Sequence, residues 1–363
     1  MVRGPKANLT FGHSRAFQVE LRRRIDEYFR IPGRRRRDCW QMYVKTAIVV
    51  PCFAVSYGLL VFVVQTWLTA VLLAVLVGLS AAEIGFNVQH DAGHRAYSNR
   101  RRVNELMAMT LDLIGGSSYL WRWKHAIFHH QYVNIVGHDT DVNLGILARL
   151  APHQQRLWFH RWQHLYLWPL YSLLALKWQL LDDFRRFIVG RIDDHSVPRP
   201  RRRNLAIFVG GKAIFFTLAF GIPLLWHPLL VVLFYYMIAA LVLGTTLSVV
   251  FQAAHCVEPA EFPNLLAGST HIETPWAIHQ TEATVDFARR SCVVAWLIGG
   301  LNFQIEHHLF PTISHINYPL IADLVEETCR DFGVRYIEFP SFRAALASHV
   351  RWLRRMGMPD TTR

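Results

Sequence analysis

Long apolar stretches occur in this chain as two closely spaced pairs. The first pair covers about 43–67 and 69–88, around the short segment QTWLT, and the second covers about 205–226 and 229–251, around WHP. Each stretch has about the 20 apolar residues that a helix needs to cross a bilayer. The interruptions have room only for turns. The pattern therefore predicts an all-α membrane protein with four transmembrane helices in two hairpins, at 43–88 and 205–251.

Basic residues predict how these hairpins are oriented. Neither hairpin turn contains Lys or Arg, whereas the other span ends adjoin GRRRRD, NRRR, RRF and RPRRR. Positively charged flanks stay on the cytoplasmic side of a membrane. We therefore expect an integral, multi-pass protein with both termini in the cytoplasm. Residues 89–204 and 252–363 would then form a cytoplasmic helical cap on the spans.

Three segments outside the spans have their own patterns. In the N-terminal segment 1–42, the stretch 17–30 is amphipathic with a basic face, which predicts a helix on the cytoplasmic surface. The stretch 155–187 is rich in Trp, Tyr and Arg and predicts an interfacial helix bent at Pro169. Lys212, inside the third span, is expected to extend its ammonium group to the membrane surface.

Composition changes this picture little. The chain has 363 residues, 52% of them hydrophobic, and a formal net charge of +13. The basic clusters beside the spans account for that charge, and since no nucleic-acid motif is present we expect no nucleic-acid partner. The N-terminus shows no cleavable signal sequence. The five cysteines form no CxxC pair, which argues against a disulfide framework or a zinc knuckle.

Histidines provide the candidate chemistry. HDAGH places His90 and His94 four residues apart, and HAIFHH places His125 and His129 at the same spacing. On a helix, residues at this spacing share one face and can bind one metal ion. Both motifs lie near the predicted cytoplasmic side of the spans, so they can meet at one depth.

Two further features add to the histidine set. His130 follows His129, and His307 and His308 are also neighbours, while His255 stands alone after the fourth span. Adjacent helical residues point about 100° apart, so such a pair can serve two nearby metal ions. Eight histidines exceed the needs of one ion, which favours two ions. Imidazole ligands suit Zn, Cu, Fe and Ni.

Polar residues near the histidines are candidates for orienting them. Metal-bound histidines need hydrogen-bond partners for their second ring nitrogen, and polar residues inside a membrane usually face a functional interior. Glu83 and Asn87 share a helical stripe with His90, and Gln252 shares one with His255. The candidates are Glu83, Asn87, Asp91, Asp139, Asp141, Gln252 and Glu306.

Taken together, HDAGH, HAIFHH and QIEHH resemble the three histidine boxes of the membrane fatty acid desaturases. The resemblance extends over about 40–340 and includes the segments WRWKHAIFHHQYVNIVGHDTDV, HQTEATVDFA and HHLFPTISHINYPLI. Gln304 at the start of the third box is similar to the front-end, delta-6-like branch, which counts its double bond from the carboxyl end. The resemblance implies a mushroom-shaped helical protein whose cap holds a di-iron site.

The resemblance also implies the chemistry of this site. Two iron ions would use O₂ and two electrons to remove two hydrogens from an acyl chain, without a separate protein acid or base. It leaves the division of ligands between the irons open. Gln304 would be a weak oxygen ligand or would orient a metal-bound water. The iron ligands implied are His90, His94, His125, His129, His130, His255, His307 and His308.

The electron source is a further expectation. Many front-end desaturases carry a fused b-type cytochrome domain with a His-Pro-Gly-Gly motif. That motif does not occur in this sequence, and about 40 residues precede the first span. We therefore expect electrons from a separate redox carrier, either ferredoxin or a free b-type cytochrome with its reductase. Complementary charge would favour its docking on the basic cytoplasmic face.

Other functions remain open at this point. A fatty acyl hydroxylase or an acetylenase would use the same di-iron centre, and the product would distinguish them from a desaturase. A zinc-dependent membrane hydrolase or receptor is less favoured, because a zinc site uses three or four protein ligands and would leave most of these histidines without a role. A non-catalytic membrane scaffold would explain the spans but not the histidine spacing.

The part of the site that binds the substrate head is the least defined. Trp121, Trp123 and Lys124 precede the second box and could frame the mouth of an apolar tunnel. Arg289 and Arg290 could meet phosphates of coenzyme A, a carrier protein or a lipid, although interfacial anchoring explains all these residues equally well. The acyl carrier, the chain length and the bond position stay open.

Overall fold

The structure is a computed structural model that describes residues 9–265 and 269–359, so the first eight residues of the predicted N-terminal segment lie outside it. Within these ranges, four helices are long and apolar enough to cross a membrane. They confirm the predicted number of spans. These spans are Trp40–Phe62, Trp67–Gly93, Arg203–Leu225 and Leu229–His255.

The second and fourth spans extend beyond their apolar stretches and carry histidines into the site. The second span changes from α-helix to a π-helical turn at Ile84–Gln89 and returns to α-helix at His90–Gly93. Such turns are frequent at functional sites. The two spans approach closely at Gly78, where an added Cβ would lie 2.5 Å from the carbonyl oxygen of Ala239. A small residue at this crossing lets the backbones meet.

Between the second and third spans the chain forms short helical segments. Those around the second histidine box are Arg101–Ala108, Thr110–Leu113, Ser118–Trp121, the π-helical Arg122–His129, and His130–Tyr132. After them come Gly145–Leu147, Trp158–Trp162, Gln163–Ser172, Leu174–Lys177, Trp178–Asp182 and Asp183–Val189. Pro169 lies inside the helix Gln163–Ser172, and the predicted stretch 155–187 consists of several shorter helical segments.

The C-terminal part is also largely helical. Its helical segments are Trp276–Ala283, Cys292–Leu297, Gln304–Leu309, His315–Asn317, Tyr318–Asp331 and Phe342–Gly357. The described residues contain three two-residue strand pairs, of which the first and the third join distant segments. Thr10–Phe11 pairs in parallel with His271–Ile272, Arg191–Ile192 pairs antiparallel with His195–Ser196, and Asp286–Phe287 pairs in parallel with Glu338–Phe339.

The N-terminal amphipathic helix covers Ala16–Arg30. Its buried residues Phe17, Leu21 and Ile25 share a hydrophobic cluster with residues of the helix Tyr318–Asp331. Since burying apolar side chains is the main favourable contribution to folding, this contact holds the helix against the C-terminal part. The apolar face therefore packs on protein.

Lys212 differs from its prediction. Its Nζ atom is buried and lies 2.8 Å from Oδ2 of Asp183 and 2.7 Å from the carbonyl oxygen of Gly115. The expectation that this ammonium group reaches the membrane surface was wrong. An ion pair supplied by a neighbouring segment satisfies the charge inside the protein, where an unpaired charge would be costly.

Candidate metal centre

The eight predicted ligands come together where the second and fourth spans meet the segments 122–132 and 304–309. Each of these histidines is at most 7% exposed. Four of them form one group, in which one nitrogen of each residue lies within 4.8 Å of the others: His90, His94, His125 and His307. Three more form a second group with the same spacing: His129, His255 and His308.

His130 lies between the two groups, because it also forms a cluster with His307 and His308. The neighbours His307 and His308 belong to different groups, as the angular offset between adjacent helical residues requires. The arrangement therefore offers two adjoining positions for metal ions, each surrounded by at least three imidazoles.

Hydrogen bonds at Nδ1 hold several of these rings. His129 Nδ1 lies 3.1 Å from Oδ1 of Asp139, and His308 Nδ1 lies 2.8 Å from Oε1 of Gln280. Both oxygens accept, so Nδ1 carries the proton. The Nε2 atoms of these two histidines find no hydrogen-bond partner within residues 9–265 and 269–359. A buried nitrogen without a partner is costly, and a metal ion would satisfy it. The residues present therefore fit a metal centre.

Burial keeps most of these imidazoles neutral, which is the form that binds metal. It lowers the pKa of His125 to about 4 and lowers the pKa values of His130, His307 and His308 well below the ordinary value. His129 differs. Burial would lower its pKa, but the Asp139 and Asp141 carboxylates raise it above the ordinary value. These carboxylates place negative charge beside the second group.

Asp139, Asp141 and Asp91 occupy different positions at the centre. Asp139 accepts from His129, and Asp141 forms an ion pair with Lys124 and lies 3.6 Å from Nδ1 of His129. Asp91 instead accepts from Ser314 Oγ at 3.0 Å and lies 3.0 Å from Nδ1 of His315. Asp91 therefore joins the first histidine segment to the third.

Three other candidate partners hydrogen-bond elsewhere. The Nδ2 atom of Asn87 donates to Glu83 Oε2 at 2.6 Å and to the carbonyl oxygen of Leu297 at 3.2 Å. Glu306 accepts from the Tyr336 hydroxyl at 3.0 Å. In the described ranges, no hydrogen bond joins these residues to the eight imidazoles. The π-helical turn at Ile84–Gln89 breaks the 3.6-residue stripe that linked Glu83 to His90.

The two glutamines lie close to the centre. The Nε2 atom of Gln304 is 2.8 Å from Nε2 of His255, and Gln304 is 1% exposed. Gln252 lines the cavity beside the histidines. Gln304 thus adjoins the second histidine group.

Sequence reasoning missed two residues that orient histidines. Gln280 accepts from His308, and the Tyr318 hydroxyl lies 3.2 Å from Nδ1 of His307. Gln280 precedes His308 by 28 residues, and no helical spacing connects them. Their sequence signal is that they lie in the segments HQTEATVDFA and HINYPLI, which the family resemblance included.

A cavity of about 810 Å³ adjoins the histidines. Trp121 and Lys124 line it, and the Trp121 ring centroid lies 4.7 Å from that of His125. Trp123 instead packs beside Phe128, with ring centroids 6.1 Å apart. The cavity continues between apolar side chains that include those of Leu111, Ile114, Leu174, Trp178 and Leu247.

The other predicted contacts for a substrate head lie away from this cavity. Arg289 pairs with Asp323 at 2.6 Å and with Glu326 at 2.7 Å, and Arg290 is an exposed residue. Lys177, Arg185 and Arg186 line the cavity. Sequence reasoning considered the last two only as basic flanks of the membrane.

Comparisons with known proteins agree with this geometry. The sequence model of a family described as fatty acid desaturase matches residues 65–340. The chain is 37% identical over 358 residues to an sn-1 linoleoyl-lipid 6-desaturase of Arthrospira platensis, covering 98% of this chain and 96% of the relative. It is 35% identical to a protein of the same description from Synechocystis sp., covering 96% and 98%.

A third relative is an acyl-lipid (8-3)-desaturase of Physcomitrium patens. It is 34% identical over 348 residues, which are 95% of this chain and 72% of the relative. These three relatives confirm the family and the branch that the histidine motifs and Gln304 indicated.

Proposed function

This chain belongs to the fatty acid desaturase family and is an oxidoreductase, and from that premise we propose that it introduces a carbon–carbon double bond into an acyl chain of a membrane lipid, using two iron ions and O₂. The overall reaction converts a CH₂–CH₂ unit, O₂, two electrons and two protons into CH=CH and two molecules of water. The double bond would lie at a position counted from the carboxyl end.

The observation that carries the proposal is the pair of buried histidine groups. Within the described residues, no hydrogen-bond partner meets the Nε2 atoms of His94, His129, His130, His307 and His308. One ion would be held by His90, His94, His125 and His307. The other would be held by His129, His255 and His308, and His130 lies beside both groups. Bound there, iron would supply the activation of O₂ that removal of hydrogen from an unactivated CH₂ requires.

The residues around the histidines set their orientation. Asp139 and Gln280 accept from Nδ1 of His129 and His308 and so direct Nε2 of each ring to the centre. Partners of this kind fix the tautomer and raise ligand basicity. Asp139 also accepts from the backbone N–H of Asn134 at 2.8 Å, which fixes the carboxylate itself.

The cavity supports a lipid-bound acyl chain as the substrate. It is lined by charged residues, by Trp121 beside the histidines and by apolar side chains of the spans. The cations include Arg185, as well as Lys177 and Arg186, which both pair with Asp182. A lipid head group could contact the cations while its acyl chain extends past the histidines. The descriptions of the relatives name linoleoyl-lipid and acyl-lipid as what those proteins act on.

Electron supply and orientation complete the proposal. The positive flanks of the spans favour a cytoplasmic location of the histidine side, where a separate carrier such as ferredoxin or a free b-type cytochrome would deliver electrons. The net charge of +13 favours an acidic carrier through charge complementarity.

The test is expression in a host whose lipids lack the new double bond. Mass spectrometry of derivatised acyl chains should show products lighter by two hydrogens, and the bond should be located by fragmentation. His307→Ala, produced at the same level in the membrane, is the matched control and should give none. A product heavier by one oxygen, or purified protein that holds zinc without iron, would contradict the proposal.

A further inference from the structure

The structure contains a second cavity in line with the first. It has a volume of about 320 Å³. On the second span it is lined by residues within 67–81, while the first cavity is lined by residues within 85–90. On the fourth span the corresponding stretches are 231–243 and 247–255. The two cavities therefore follow one another along the same two helices, with the second cavity farther from the histidines.

The two cavities adjoin each other at a layer of side chains. Ile114 lines both of them, while Trp178 lines the cavity near the histidines and its neighbour Gln179 lines the far one. Leu243 lines the far cavity and Leu247, one turn later, lines the near one. Gln179 brings a polar amide to this layer, and it is 3% exposed.

Both ends of the Gln179 amide are held in place. Its Nε2 atom donates to the carbonyl oxygen of Ile114 at 2.8 Å, and its Oε1 atom accepts from the Tyr236 hydroxyl at 2.9 Å. Displacing this side chain would leave a carbonyl and a hydroxyl without partners in an apolar region, which is costly. The amide is therefore a rigid part of the layer.

Gly115 shows how closely the layer is packed. It has φ +95°, and a Cβ added there would lie 2.8 Å from Cγ of Gln179 and 2.6 Å from Cε2 of Phe215. The same peptide group accepts a hydrogen bond from Lys212 at 2.7 Å. A glycine at 115 lets Gln179 lie directly against the backbone after the helix Thr110–Leu113.

We propose that Gln179 closes the end of the acyl site and is the specificity-determining residue that limits how far an acyl chain extends beyond the histidine groups. The inference rests on the proposed function, because it takes the occupant of the near cavity to be an acyl chain. The methyl end stops at the Gln179 amide, and the far cavity is apolar space that becomes continuous with the site once this side chain is shortened.

The test compares two variants that differ in volume. Gln179→Ala removes the barrier, whereas Gln179→Leu keeps most of its bulk and loses only the hydrogen bonds. Each protein is expressed in a host supplied with acyl chains of several lengths, and products are measured as ratios within one sample. Purified protein is also analysed by mass spectrometry for the lengths of the acyl chains it retains.

With Gln179→Ala, the preference for a chain two carbons longer should rise roughly ten-fold, the factor expected from burying two more methylene groups. Retained acyl chains should lengthen in parallel. Gln179→Leu should keep the wild-type ratio. If Gln179→Ala binds iron and has an unchanged ratio, or if Gln179→Leu changes the ratio equally, the proposal fails. Absence of desaturation by the unsubstituted protein would instead contradict the proposed function.

Discussion

The amide nitrogen of Gln304 lies 2.8 Å from Nε2 of His255, so the third histidine segment meets the end of the fourth span at the second histidine group. We expect Gln304→His to keep both iron ions and to change the rate of desaturation, because an imidazole is a stronger ligand than an amide. Iron is measured by elemental analysis and rate by product formation. An unchanged rate would mean that Gln304 only fills space.

Replacing a histidine of either group should remove activity without removing the protein from the membrane. In His129→Ala, one metal position keeps only two of its three imidazoles, so we expect iron to fall from about two ions per chain and desaturation to be lost. His13→Ala is the matched control because His13 is exposed and lies outside both groups. Retained turnover in His129→Ala would remove it from the ligand set.

Asp139 should act through His129. Asp139→Asn keeps the size of the side chain but removes the negative charge that accepts from Nδ1 at 3.1 Å. Loss of such a partner typically lowers metal affinity or activity about 10–100-fold. Titration with iron under anaerobic conditions would measure the affinity. Asp323→Asn, at a side chain that is 93% exposed, serves as the control and should bind iron normally.

The buried pair of Lys212 and Asp183 should contribute strongly to stability. Lys212→Met would leave the Asp183 carboxylate buried without its cation, which costs about 3–5 kcal/mol. Adding Asp183→Asn removes the unpaired charge and should restore most of the loss. Thermal unfolding in lipid would compare the single and double variants. Equal unfolding temperatures for Lys212→Met and the unsubstituted protein would contradict this assignment.

Stability should fall in mild acid partly because of His349. This residue donates to the carbonyl oxygen of Cys256 at 2.7 Å, and burial lowers its pKa from 6.5 to about 4. As the pH falls from 6.5 to 4, the unfolded chain takes up a proton that the folded protein does not. The stability from the neutral ring is thus fully present above pH 6.5 and declines below it.

At pH 5 this loss amounts to about 2 kcal/mol. His349→Gln keeps a neutral donor and acceptor, so its unfolding temperature should drop less than that of the unsubstituted protein between pH 7.5 and pH 5. Both proteins are measured with iron bound. An equal drop in the two proteins would show that His349 does not carry this part of the pH dependence.

The spans and the histidine set followed from the sequence because they depend on local patterns. Apolar runs of sufficient length specify helices that cross a bilayer whatever their neighbours are. The i, i+4 spacing of His90 and His94 specifies a shared face within one helix. The family resemblance rests on the same short motifs, which the chain carries intact.

Relations between distant segments were decided only by the tertiary structure. Three contacts join residues that lie between 28 and 224 positions apart in the sequence. They are His308 with Gln280, Asp91 with His315, and Lys212 with Asp183. No periodicity encodes such contacts. The π-helical turn before His90 also shifted Glu83 out of its expected stripe. Hydrogen bonding depends on sub-ångström placement of both partners, which packing in three dimensions sets.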